Sequence, residues 1–127
     1  MSGPTYHLTE TTLVHLEKAV RDTARRWDLR QAETYASALL SGFQYIADNH
    51  GKLNTPHRKK LAKGTNFGLH LVEHHYVLFK VHDHDNVIIV GILHERMNIP
   101  VRLKELQTLS QEEIAALEEE IESEQNP

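Results

Sequence analysis

The run Val87-Ile-Ile-Val-Gly-Ile-Leu93 limits what this chain can fold into more than any other feature of it. An uncharged stretch rich in β-branched residues suits a pleated strand, and it is expected to be the most buried strand of its sheet. Two further strands precede it, Leu69-His-Leu-Val-Glu-His74 and Tyr76-Val-Leu-Phe-Lys-Val81. His74-His75 and Asp83-His-Asp-Asn86 are short polar connections, which makes the three strands an antiparallel meander.

The N-terminal half supplies a cover for that sheet. Tyr6-His-Leu8 is a short apolar start consistent with a strand, and Thr9 stands where a helix N-cap belongs. Leu8 and Leu13 flank it as a hydrophobic staple. Leu13, Leu16, Val20, Ala24 and Trp27 then recur at spacings of three and four, so they read as one apolar helix face, with Arg21, Arg25 and Arg26 mostly off it. Asp28-Leu-Arg-Gln31 has the capping-box pattern of a second helix, whose stripe is Ala32, Tyr35, Ala36, Leu39, Phe43 and Ile46 before Asp48-Asn-His-Gly51 ends it. So short a connection forces the two helices into an antiparallel hairpin. The expected fold class is α+β: an N-terminal strand, a helical hairpin and a three-stranded antiparallel meander.

At 127 residues the chain fits one domain able to bury a core without disulfides or a structural metal. It has no cysteine, which rules out a thiolate metal site and a cysteine nucleophile and suits a reducing cytoplasm. No stretch approaches the ~20 apolar residues of a membrane span. The start has no basic segment followed by an apolar one, so a soluble, unexported, cytoplasmic protein without membrane contact is expected.

The net charge of −4 is unevenly spread. All 14 Lys and Arg lie in residues 1–104, whereas 105–127 hold eight Glu and no base, so a body of about +4 carries a tail of −8. Residues 51–66, with Lys52, Arg58, Lys59, Lys60 and Lys63, read as a basic loop. In the tail, Ser110-Gln-Glu-Glu113 is a capping box for a last helix with the narrow stripe Ile114, Leu117 and Ile121. A basic body suits an acidic partner, and the tail is an internal competitor for that surface.

Three stretches carry a family resemblance. Trp27-Asp-Leu-Arg-Gln-Ala-Glu-Thr-Tyr35 is similar to the Trp-Gly-x-x-Gln-Ala-x-x-Tyr pattern opening the second helix of ParE-like toxins, with Asp28 where that pattern has Gly. Gly68-Leu-His-Leu, followed after four residues by Tyr76-Val-Leu-Phe-Lys-Val81, resembles the strand pair of the same toxins. Ile92-Leu-His-Glu-Arg-Met97 resembles their Leu-His-x-x-Met at the end of the last strand. Over roughly residues 6–103 the chain therefore resembles the ParE/RelE superfamily of toxins, and the ParE branch in particular. Residues 1–104 are expected to be the toxin domain and 105–127 an acidic C-terminal helical extension.

The resemblance implies a toxin of a type II toxin–antitoxin system, needing no cofactor and neutralised by a cognate antitoxin. It implies poisoning of DNA gyrase, through contacts expected at Arg58, Lys59, Lys60, Lys63, His94, Arg96, Met97 and Arg102. The antitoxin is expected over the helical hairpin, at Leu16, Val20, Trp27, Tyr35 and Leu39. The alternative within the superfamily is a metal-independent endoribonuclease that cuts messenger RNA on the ribosome, for which Lys60, Lys63, Lys80 and Arg96 are the candidate catalytic residues. No tyrosine follows Tyr76 to complete that set. A third alternative is a non-toxic relative that only binds an antitoxin. Of the ten histidines, His70 and His74 or His82 and His84 could share a strand face, but no zinc-site spacing accompanies them, and no metal is expected. The tail is expected either to pack on the body in cis or to self-associate through its isoleucines, which leaves room for a homo-oligomer or a higher-order complex with antitoxin.

Overall fold

The computed structural model describes residues 3–53 and 55–125. In chain order it contains β1 (Thr5–Leu8), α1 (Glu10–Arg26), α2 (Leu29–Asn49), a 3₁₀ turn (His50–Lys52), α3 (Pro56–Leu61), β2 (Gly68–Val72), β3 (His75–Asp83), β4 (Asn86–His94), α4 (Ile99–Leu109) and α5 (Gln111–Gln125). The strands form one sheet in the order β1-β4-β3-β2. The expected meander is present, and β1 adds to it in parallel with β4, Tyr6 opposite Val87.

Strand β4 is buried from Asn86 to Leu93. One edge pairs with β3, and the other pairs with β1 only as far as Ile89, because the chain then turns into α1. Helix α1 itself serves the rest of that edge. The Thr12 hydroxyl donates to the Ile89 carbonyl at 2.7 Å, and Thr9 Oγ1 lies 3.3 Å from the carbonyls of Ile89 and Val90. The Ile92 N–H donates to His15 Nδ1 at 3.0 Å. A buried backbone group left without a partner costs about 1–3 kcal/mol, so these three polar side chains are what lets the helix lie along the strand. Gly91 makes the approach possible, since a Cβ there would sit 3.2 Å from both His15 Nδ1 and Leu106 Cδ1. The expected apolar face of α1 is corrected accordingly: Thr12 and Ala19 are its buried residues, while Leu13 and Trp27 are 50% and 69% exposed.

The sheet has a core on each side. Towards the hairpin, Val77, Phe79, Val87, Ile89 and Ile92 meet Leu39, Phe43 and Ile46. On the opposite side Leu78, Ile88, Val90 and Leu93 meet Leu103, Leu106, Ile114 and Ile121. A bulge between the Leu78–Gly91 and Phe79–Ile89 pairs inserts Val90 and resets the alternation of β4, so that Ile89 and Ile92 share the hairpin side.

That second core extends past residue 104. A division at residue 104/105 would cut through α4, and the acidic segment behind it forms a third layer of the fold. Helix α5 buries Ile114 and Ile121. Its Glu113 carboxylate accepts from the Thr11 N–H at 2.8 Å and the Thr11 hydroxyl at 2.7 Å, in the first turn of α1. Two smaller corrections follow from local chemistry. The stretch expected as a basic loop contains α3, capped by Thr55 and opened by Pro56. The β2–β3 turn is Glu73-His74, so His75 already belongs to β3.

Thr12→Val keeps the shape of the residue but removes a buried donor to Ile89; urea unfolding is expected to show a loss of about 1–3 kcal/mol. Thr34→Val, on the exposed face of α2, is expected to stay within about 0.5 kcal/mol. Ile121→Ala is expected to cost about 2–4 kcal/mol, and a loss near zero would show that α5 does not belong to the cooperative core.

Candidate functional site

The connection between α1 and α2, the β2–β3 turn and the end of β4 meet around a cleft of about 850 Å³. Each wall follows from local sequence. Asp28 accepts from the Gln31 N–H at 2.7 Å and starts α2 immediately after Trp27, which holds Arg25, Arg26 and Trp27 at the rim opposite Gln31, Thr34 and Tyr35. Glu73, with φ of 55°, takes the left-handed conformation in the turn, a strained choice for a residue with a Cβ. That turn presents His74 and His75 to the cleft. His94 and Arg96, from the end of β4 and the turn after it, close the remaining side.

Inside, the Tyr35 hydroxyl is hydrogen-bonded to His75 Nδ1. The His75 ring meets His94 edge-on at 5.1 Å, and His74 stacks on His94 at 6.4 Å. Burial pushes the Tyr35 hydroxyl up to about 12. Burial, with the charges of His94 and His74 in second place, brings His75 down to about 4. Both groups are therefore neutral near pH 7. His94 Nδ1 accepts from the Arg96 N–H at 3.1 Å, and His74 lies 3.0 Å from the Glu95 carboxylate. Among the described residues no three His, Cys, Asp or Glu converge as metal ligands, and no helix is long and apolar enough to cross a membrane.

The remaining candidate residues are dispersed. Lys59, Lys60 and Lys63 are exposed on and after α3, with Arg58 half-buried, its guanidinium donating to the Leu53 carbonyl at 3.3 Å. Lys80 lies on β3, 3.2 Å from Glu118 of α5, which also accepts from His82 Nδ1 at 2.8 Å. Lys80 pairs with Ile88, whereas His75 pairs with His94. Five residues of strand separate the two positions, roughly 16 Å, so Lys80 does not join Arg96 in one cluster. Met97 is exposed, and Arg102 pairs with Glu105 on α4 at 3.2 Å. On the hairpin, Leu16, Val20 and Tyr35 are half-buried and Trp27 is exposed, but Leu39 is fully buried in the core and offers nothing to a partner. The Tyr35–His75–His94 contact was missed because its members come from three separate elements, with no signal in local spacing.

A parallel β1 beside β4 of an antiparallel meander, with a helical hairpin on one face, is the arrangement of the ParE/RelE class of toxins. The family described as the ParE toxin of type II toxin–antitoxin system, parDE, matches residues 6–99. A toxin ParE of Escherichia coli is 30% identical over 98 residues, covering 77% of this chain and 91% of the relative. The chain belongs to the ParE toxin family. The family match ends where α4 begins, so α5 lies outside it.

The half-buried imidazoles are expected to make the fold less stable in acid. His75 takes its proton near 6.5 in the unfolded chain but near 4 in the folded one, so its contribution to stability is complete above the first value and is lost as pH falls towards the second. Burial lowers His15 and His70 in the same direction. The melting temperature is expected to fall as the pH is lowered through that window, and His75→Gln is expected to flatten the profile. An equally steep profile in the variant would contradict the assignment.

Proposed function

We propose that this chain arrests growth by binding and poisoning DNA gyrase, without chemistry of its own, and that a cognate antitoxin neutralises it. The observation that carries the binding reading over the nuclease one is the dispersal of the basic residues. Lys80 is engaged by Glu118 under α5, and Arg96 stands at the other end of the same strands. Target contacts are assigned to Arg58, Lys59, Lys60 and Lys63 around α3 and to His94, Arg96, Met97 and Arg102 after β4. The antitoxin is assigned to the outer face of the hairpin, where Leu13, Trp27, Leu29 and Leu40 expose apolar surface next to Leu16, Val20 and Tyr35. An amphipathic segment that folds on binding fits such a face.

Inducing the chain without antitoxin is expected to arrest growth and raise a DNA-damage reporter while messenger RNA stays intact. Cut messages with a flat reporter would support the ribosome-dependent nuclease instead, and unimpaired growth would mark a non-toxic relative. Lys60→Ala and Arg96→Ala are each expected to lower potency; full potency in both would remove those contacts from the account. Trp27→Ala is expected to weaken a purified antitoxin complex about tenfold or more, in line with an interface aromatic anchor.

A further inference from the structure

The cleft at the end of the hairpin shares Arg96 with the surface assigned to the target and Trp27 with the one assigned to the antitoxin, and its composition also suits a small ligand. Arg26 and Arg96 line it, and neither side chain makes a hydrogen bond or ion pair among the described residues. Arg25 lies beside Asp22, whose carboxylate is already held by Lys18 at 2.9 Å. Glu73 is the other carboxylate at the rim, and Glu95 outside it is engaged by His74. The lining thus keeps a surplus of planar, fixed positive charge, the kind that grips a phosphate through paired N–H donors. Beside it stands Trp27, 69% exposed, a flat ring at the mouth of the same cleft. Aromatic faces next to guanidinium groups stack nucleobases, and the volume of the cleft lies in the range of small-molecule sites, roughly 300–1,000 Å³.

We propose that this cleft binds a phosphate ester carrying a planar base, with Arg26 and Arg96 on the phosphate and Trp27 against the base. The neutral Tyr35–His75 pair forms the floor and fixes His94 without adding negative charge. The ligand is a free nucleotide or the phosphorylated end of a nucleic-acid strand, which present the same two groups. The proposal does not rest on gyrase as the target, because binding is a property of the chain alone.

Trp27 is the single tryptophan of the sequence, so intrinsic fluorescence of the full-length protein reports this cleft directly. Adenosine monophosphate is expected to change it saturably, and adenosine or inorganic phosphate to bind at least tenfold more weakly. Arg26→Ala and Arg96→Ala, both at exposed positions and checked for an unchanged circular dichroism spectrum, are each expected to weaken binding about tenfold. A short oligonucleotide ending in a phosphate that binds tenfold tighter than the mononucleotide would identify a strand end as the source; equal or weaker binding would identify the free nucleotide. No saturable change with either ligand would overturn the proposal. So would unchanged affinity in both arginine variants, or inorganic phosphate binding as tightly as the nucleotide. None of these readouts involves growth or DNA cleavage, so a failed gyrase reading and a failed cleft are told apart.

Discussion

Every layer of this protein packs against β4. The strand is apolar on both faces, so water can reach neither its side chains nor its amides, and each N–H and C=O must find a partner inside the protein. β3 serves one edge apart from the bulge at Val90, but β1 is only four residues long and stops at Ile89. Thr9, Thr12 and His15 continue where it ends. The hairpin is thereby hydrogen-bonded to the strand and not merely laid against it, and that placement sets where the α1–α2 connection, and hence the cleft, can be.

The opposite face obeys the same constraint with different means. Leu78, Ile88 and Val90 need a cover, and α5 provides it with a narrow stripe, Ile114 and Ile121, flanked by glutamates. Two of those glutamates answer local demands: Glu113 takes up the first-turn N–H of α1 at Thr11, and Glu118 faces Lys80 and His82. The Lys80 pair is partly solvated and worth little on its own, about 0–1 kcal/mol. It holds the Lys80 ammonium against α5.

How far the sequence revealed this depends on which force acts locally. The strands and the caps at Thr9 and Asp28 were legible, because β-branched runs and short polar N-caps act over a few residues. The rotation of α1 was not, because its closest contacts to β4 are polar and an apolar stripe points at the wrong face. The docking of α5 could be stated only as one of two options, since a thin stripe fits a sheet and a partner equally well. In the site, Trp27, Tyr35, His94 and Arg96 each had a place in the sequence reading, but their convergence with His75 depends on tertiary geometry. Leu39 was misplaced for a related reason: on a half-buried helix, spacing alone does not separate the innermost residue from its neighbours.

The claim on which these points rest is that β4, the hairpin and α5 form one cooperative unit. Native-state amide hydrogen exchange on the full chain tests it directly. The account predicts that the amides of Val87 to Ile92 exchange slowest, and that those from Ile114 to Ile121 share that protection or nearly so. Rapid exchange throughout α5 while β4 stays protected would contradict it, leaving a two-layer body with a separable acidic helix.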